Sequence, residues 1–411
     1  MTTMKNLRQK YSLPKIGMNL IFKSLKRFLF ALFKILVPLT KRNGKQVLVF
    51  YSTPDYSDNS RALSDYLVKS GYLGCCEIYW CVSNPKIFKK KYPESDVKFV
   101  SSVNDFNDFT LKTYWVFAKT DYFFGTHGFP IVDQLMTPKQ KKILLWHGCS
   151  FKDASPNAKL DFFDAALVAG PIFIKTKAKY WKTSEKKLIA KGYPRYDWLL
   201  KKSPEVESFF SRFKDGFDKV VIWMPTFRND KNGKYNECGS ILQFPLIKCV
   251  DDWLNVDELC GEHNILLLVK LHVFQKDYGI DFSRLKNIKR IDNDFFVSND
   301  VQMYEFLALT DALLTDYSSV GVDYLVVDKP IGFTLDDFEM YRTKRGFVFD
   351  DPRCYMPGHH LYEMRDLKAF LCDVAHSNDP YKESRKKMRN VAVFESDCYS
   401  KEIADAIGLL R

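Results

Sequence analysis

From Gln46 onward the chain alternates short apolar runs with helix-length amphipathic segments, and this restricts the fold more than any other feature. "QVLVFYS" (46–52) has the unbroken apolar character of a strand buried on both faces. "SRALSDYLVKSG" (60–71) has the spacing of a helix that stops at Gly71. "CEIYWCVS" (76–83), "DVKFVS" (96–101), "DYFFGT" (121–126), "KILLWHG" (142–148), "DAALVAG" (164–170) and "KLIAKG" (187–192) continue the series, with helical segments between most of them. Such alternation predicts a parallel sheet covered on both faces. "KKSPEVESFFSRFKDGFDK" (201–219) is charged, carries Pro and Gly, and is the best place for a domain boundary. Strands then resume as "VVIWMPTF" (220–227), "NILLLVKLH" (264–272), "NIKRID" (287–292), "DALLTD" (311–316) and "KPIGFT" (329–334). The expectation is an α/β protein of two facing Rossmann-like halves, 46–202 and 203–395, with a cleft between them. An N-terminal arm, 1–45, and a closing helix, 396–411, flank the halves. A chain of 411 residues is long enough for two cores.

Charge is confined to one end. The first 46 residues hold 11 Lys/Arg and no acid, whereas the rest of the chain sets 51 bases against 50 acids. A nearly neutral body argues against a spread basic surface for nucleic acid. The ten cysteines form no CxxC pair and no regular framework, which predicts reduced thiols in a cytosolic setting.

The arm contains "NLIFKSLKRFLFALFKILVPLTKR" (19–42). At about 100° per residue, Lys23, Lys26, Arg27 and Lys34 fall within one arc of roughly 100°. Leu25, Phe28, Leu29, Leu32, Phe33, Ile35 and Leu36 spread over the other side, while Phe30 and Val37 sit on the basic side and Pro38 ends the helix. No small-residue cleavage site follows, unlike a signal peptide. Lys34 keeps each apolar run far below the ~20 residues of a membrane span. Two readings remain: a helix packed on the protein's own body, or an interfacial helix on an anionic cytoplasmic leaflet. The purity of the positive face favours the second, with Lys23, Lys26, Arg27, Phe28, Phe33 and Lys34 as contacts.

In open parallel sheets, ligands bind beyond the carboxyl ends of the strands. The polar residues there are His147-Gly148, Thr226 to Arg228, Lys270 to His272 and Thr315 to Ser319. There is no GxGxxG, GxxxxGK[ST] or HExxH, and "DND" (292–294) reads as structural. In "TDYSSVGVDY" (315–324), Ser318 and Ser319 stand where a strand hands over to a helix. They are either a helix cap or a seat for a phosphate, to which Asp316 brings a carboxylate whose partner the sequence does not name. His147 and His272 each end a buried run; such a residue is a structural histidine or a proton-transfer group. Arg228 and Arg345 are surface ion-pair partners or neutralise a pyrophosphate.

The ordered set "LLWHG" with Lys152, "GYPRYD" (192–197), "MPTFR" (224–228), "KLH" (270–272), "LLTDYSSVGVDY" (313–324), "KPIGF" (329–333), "YRTKRGFVFD" (341–350) and "PG" (357–358) resembles the CDP-glycerol glycerophosphotransferase family of teichoic acid primases and polymerases. "YSDNSRALSDYL" (56–67) is similar to that family's acceptor region, and the resemblance covers roughly 46–360. It implies a GT-B-like architecture, a CDP-alditol donor held by the C-terminal half, and an undecaprenyl-linked saccharide or polymer as acceptor. It implies important histidines at His147 and His272, with His147 the choice for general base and the two roles exchangeable. On the donor side it places Arg228, Lys270, Thr315, Asp316, Ser318, Ser319, Asp323, Arg345 and Gly346; on the acceptor side, Asp58, Asn59 and Lys152. No cofactor or protein-held metal is expected, and the location is the cytoplasmic face of the cell membrane. Cys149-Ser150-Phe151 departs from the small polar residue and Pro-Leu usual in the family, which leaves the acceptor and the alditol open. Two alternatives stand: a GT-B glycosyltransferase using a nucleotide sugar on a lipid-linked acceptor, and a peripheral membrane protein that binds nucleotide or polymer without turnover.

Overall fold

A computed structural model describes residues 44–102, 110–130, 136–153, 161–226, 244–271 and 281–409, with several helical residues between 24 and 36. The strands are β1 (Gln46–Tyr51), β2 (Cys76–Val82), β3 (Lys98–Ser101), β4 (Tyr122–Gly125), β5 (Lys141–Leu144), β6 (Ala165–Leu167), β7 (Leu188–Ile189), β8 (Lys219–Trp223), β9 (Ile265–Lys270), β10 (Ile288–Ile291), β11 (Ala312–Thr315), β12 (Ile331–Thr334) and β13 (His359–Leu361). They form two sheets, ordered β3-β2-β1-β4-β5-β6-β7 and β10-β9-β8-β11-β12-β13. The pairings of known register are parallel throughout, such as Leu48 with Ile78 and Tyr122, or Ile222 with Leu268 and Leu313.

The chain forms two compact units. One runs to His147 and includes Phe162–Ala166 and the end of the chain from Ile407; the other holds Gly148–Asp161 and Leu167–Ala406. In the first, Val47 and Val49 point into a core with Tyr79, Cys81, Val100, Phe117 and Phe123. Phe50, on the opposite face of β1, stacks on Phe124 at 4.7 Å and Trp80 at 5.7 Å. A strand with both faces covered has no polar alternation, which is why β1 reads as an unbroken apolar run. In the second unit, Val221, Trp223, Leu267, Val269 and Leu314 pack against Trp253, Val256 and Cys260 of helix Val250–Glu262 and Leu367, Phe370 and Leu371 of helix Met364–Ala375.

Both sheets start in the middle and reverse direction once, between β1 and β4 and between β8 and β11. The carboxyl ends of those strand pairs are the switch points where doubly wound sheets receive ligands. β13 is the strand that the apolar pattern does not signal. It is three residues long, begins with His359-His360, and pairs through Gly332 with His359 and Thr334 with Leu361.

In the N-terminal segment, Ser24, Phe28, Leu29, Leu32, Phe33, Ile35 and Leu36 are helical. Phe28 and Ile35 are each 67% exposed. Phe33, expected at a membrane surface, turns the other way: it meets Trp115 edge-on at 5.4 Å and packs on the first unit's core. Five residues at about 100° each place it roughly 140° around the helix from Phe28, so the two cannot share a face. Lys23, Lys26, Arg27 and Lys34 lie outside the described residues.

Candidate active site

In the first unit the switch point is built from the loop after β1, the start of helix Asp58–Lys69, and the segments after β4 and β5. Ser60 Oγ donates to the Tyr51 carbonyl at 2.8 Å and pairs with Thr126 Oγ1 at 2.9 Å, joining the ends of β1 and β4. Tyr56, Asp58 and Trp146 hold left-handed backbone, with φ of 54°, 57° and 58°. Non-glycine residues adopt that region at a cost, and they gather at functional loops. Asp58 is half-buried and accepts from its neighbour's N–H, Asn59 N, at 2.8 Å. Asn59 is fully buried, and its Nδ2 donates to the Trp146 carbonyl at 2.7 Å. It therefore grips the residue before His147.

The His147 ring is half-buried and lies parallel to that of His127, with centroids 4.6 Å apart and planes 5° apart. The Trp146 ring lies 3.9 Å from it on a 37° tilt. His127 did not emerge from the sequence. It stands two residues past β4, in "FFGTH", where the strand-end rule that selects His147 would also have found it.

In the second unit, the stretch Thr315–Ser319 divides into scaffold and surface. Thr315 Oγ1 donates to the Met224 carbonyl at 2.9 Å, bridging β11 to the exit of β8. Asp316 is fully buried; its carboxylate accepts from Thr226 N at 2.9 Å, Thr226 Oγ1 at 2.7 Å and Ser318 N at 3.2 Å. The acid that looked out of place beside a phosphate is a brace for the loop after β8. Tyr317 is also buried, with its hydroxyl on Asp337 at 2.9 Å and its ring 4.4 Å from Tyr341. Ser318 and Ser319 remain half-exposed, and the Ser319 side chain makes no cap bond. The following helix, Val320–Asp323, is a single turn continued by the 3-10 turn Tyr324–Val326. A single turn carries little helix dipole, so what this strand end offers an anion is chiefly two hydroxyl donors.

Gly148 abuts Ser319. Its φ is 124°, and a Cβ there would lie 2.5 Å from Ser319 Oγ, so this close approach requires glycine. The next residues run beside Tyr317 and the segment after helix Phe338–Lys344: Phe151 N donates to the Tyr317 carbonyl at 3.3 Å, Lys152 bridges to Phe347, and Asp153 N donates to the Gly346 carbonyl at 3.0 Å. Lys152, expected on the acceptor side, is thus in the second unit with the half-buried Arg345 and Gly346. Asp323, expected to face a ligand, is fully buried; Arg195 Nη2 and the hydroxyls of Tyr196 and Tyr304 occupy its oxygens. Asp292 of "DND" caps helix Asn293–Ser298 through Phe295 N at 2.9 Å. His272 and Arg228 lie outside the described residues. Among the described residues, no group of three or more His, Cys, Asp and Glu side chains is placed to hold a metal ion.

Lys270 ends β9, and burial pushes its ammonium down to about 8 from the ordinary 10.5, with Asp292 opposing. It carries its charge below about pH 8 and loses it above. A phosphate held by Lys270 should bind more weakly as pH rises through 8, and Lys270→Met should abolish that limb of the KM–pH profile. Stability should move oppositely. The unfolded chain binds the extra proton between about 8 and 10.5, so wild-type stability gains across that window and Lys270→Met should be the more stable form at pH 7. A KM that is flat from pH 7 to 9 in the wild type would remove Lys270 from phosphate binding.

Two doubly wound parallel sheets, each with polar groups at its switch point, define the GT-B type of enzyme body. The solved structure of the wall teichoic acid polymerase TagF has this fold: TM-score 0.69, 21% identity, 95% of each chain covered. The family profile of CDP-glycerol:poly(glycerophosphate) glycerophosphotransferases matches residues 30–407, and the chain belongs to that family of enzymes. Among its relatives, the teichoic acid poly(glycerol phosphate) polymerase of Bacillus spizizenii is 26% identical, covering 78% of this chain and 81% of that protein. The teichoic acid glycerol-phosphate transferase of Staphylococcus aureus is 24% identical, covering 89% and 93%.

Proposed function

We propose that this enzyme transfers glycerol phosphate from CDP-glycerol to a hydroxyl of an undecaprenyl-linked saccharide or growing polyol-phosphate chain in teichoic acid synthesis. The observation that carries this reading is the family match over 30–407, with the Ser318 and Ser319 hydroxyls at the second sheet's switch point. The acceptor oxygen attacks the β-phosphorus, the bond from that phosphorus to the bridging oxygen breaks, and CMP leaves. His147 takes the acceptor proton. His272 contacts the transferred phosphate or the leaving CMP. Ser318, Ser319, Lys270, Arg345 and Arg228 meet the charge of the phosphates. Positioning and electrostatic stabilisation do most of the work in phosphoryl transfer of this kind. A donor panel of CDP-glycerol, CDP-ribitol and UDP-sugars on a lipid-linked acceptor tests it. CMP release with CDP-glycerol supports the reading; UDP release, with no CMP, refutes it and favours glycosyl transfer.

The enzyme works as a peripheral protein on the cytoplasmic membrane surface. The support is the exposed stripe Phe28, Leu32, Ile35 and Leu36, a spacing that gathers side chains on one helix face. Among the described residues, no helix is long and apolar enough to cross a membrane. Each such side chain contributes about 1.5–3 kcal/mol when fully buried, so replacing all four with serine should weaken sedimentation with anionic vesicles by at least ~10²-fold. Unchanged sedimentation would remove the helix from membrane binding.

A further inference from the structure

Asp323 lies one turn after Ser319, and its N–H donates to the Ser319 carbonyl at 3.0 Å. Its side chain is sealed from solvent, with Arg195 Nη2 at 2.7 Å from Oδ2 and the hydroxyls of Tyr304 and Tyr196 on Oδ2 and Oδ1. Burial pushes the carboxyl's pKa up and Arg195 opposes it; three donors on two oxygens fit the ionised form. Arg195 is itself 3% exposed, and its guanidinium carbon sits 4.2 Å from the centre of the Tyr304 ring. The same Nη2 lies 3.2 Å from where a Gly148 Cβ would be, and that point is 2.5 Å from Ser319 Oγ. Arg195 thus meets Asp323 on one side and the Gly148–Ser319 contact on the other.

A buried ion pair of this kind is a poor way to gain stability, because apolar residues of similar volume often do as well or better. What it supplies is a single geometry. We propose that Arg195 is a positioning residue for phosphoryl transfer: anchored by Asp323, it holds the Ser319 hydroxyl against Gly148 in the orientation that receives a phosphate of the nucleoside diphosphate donor. This rests on the donor-side reading of Ser319 given above.

The test separates positioning from support of the fold. Arg195→Met combined with Asp323→Asn removes both charges, so no buried carboxylate is left without its cation. In the full-length double variant, the unfolding midpoint should stay near wild type while kcat with CDP-glycerol falls by about tenfold or more, since small misplacements in such sites have effects of that order. A folded double variant that loses less than that overturns the proposal. Arg195→Lys with Ser319→Ala gives an independent check: if Arg195 acts through Ser319, the serine substitution lowers kcat less in the Arg195→Lys background than in wild type. Equal fold-losses in both backgrounds overturn the proposal even if the double-neutral variant fails to fold. A wild-type enzyme that does not turn over CDP-glycerol, or a Ser319→Ala variant with wild-type kinetics, refutes the donor reading itself and is distinguishable from failure of the Arg195 role.

Discussion

Replacing His147 with alanine is expected to lower kcat by about 10²–10⁴-fold, the range over which a positioned general base accelerates proton transfer. The fold should survive. The ring is half-buried and lies against the rings of His127 and Trp146. The KM for CDP-glycerol should change little, because the residue is assigned to the acceptor proton and not to the donor. His127→Ala offers a graded comparison: it removes the stacked neighbour and should cost less than loss of His147. Asn59→Ala should fall between them, since it releases the Trp146 carbonyl one residue before the base. A folded His147→Ala enzyme with wild-type kcat would eliminate His147 as the base.

Asp316→Ala should have the largest effect on stability of any single change at the strand ends. Thr226 N, Thr226 Oγ1 and Ser318 N all donate to this fully buried carboxylate. Each buried donor left without an acceptor costs about 1–3 kcal/mol, so the loss should be about 3 kcal/mol or more in chemical denaturation. Asp316→Asn keeps one acceptor oxygen but turns an amide donor toward existing donors, and should be only partly better. Activity should fall further than the folded fraction, because Ser318 loses its tether. A loss below about 1 kcal/mol for the alanine variant would contradict the bracing role.

Strand order and site differ in how far local sequence reveals them. β1, β8, β9 and β11 are covered on both faces, so their runs are apolar without alternation and end abruptly in polar residues. That contrast made both sheets legible and pointed to His147, Ser318 and Ser319. β13 escaped because three residues, two of them histidine, carry no apolar signal. The partners of Asp316 escaped for another reason. Thr226 is 90 residues away, and the pair meets only because β8 and β11 are neighbours at the switch point. Asp323 and Arg195 are 128 residues apart, so the family resemblance that placed Asp323 on the donor side gave no sign of the buried partners on its carboxylate. The amphipathic arm was legible as a period, but a period does not show which apolar residues dock: Phe33 turns to Trp115 while Phe28 stays exposed.

Following the β-phosphorus tests the central claim most directly. With CDP-glycerol labelled at that atom and a lipid-linked acceptor, phosphotransfer predicts label in the lipid-extractable product, one unlabelled CMP released per glycerol unit added, and loss of both in His147→Ala. Label retained in a released nucleoside diphosphate would mean that the bond to glycerol carbon, not the pyrophosphate, is broken, and would contradict the account.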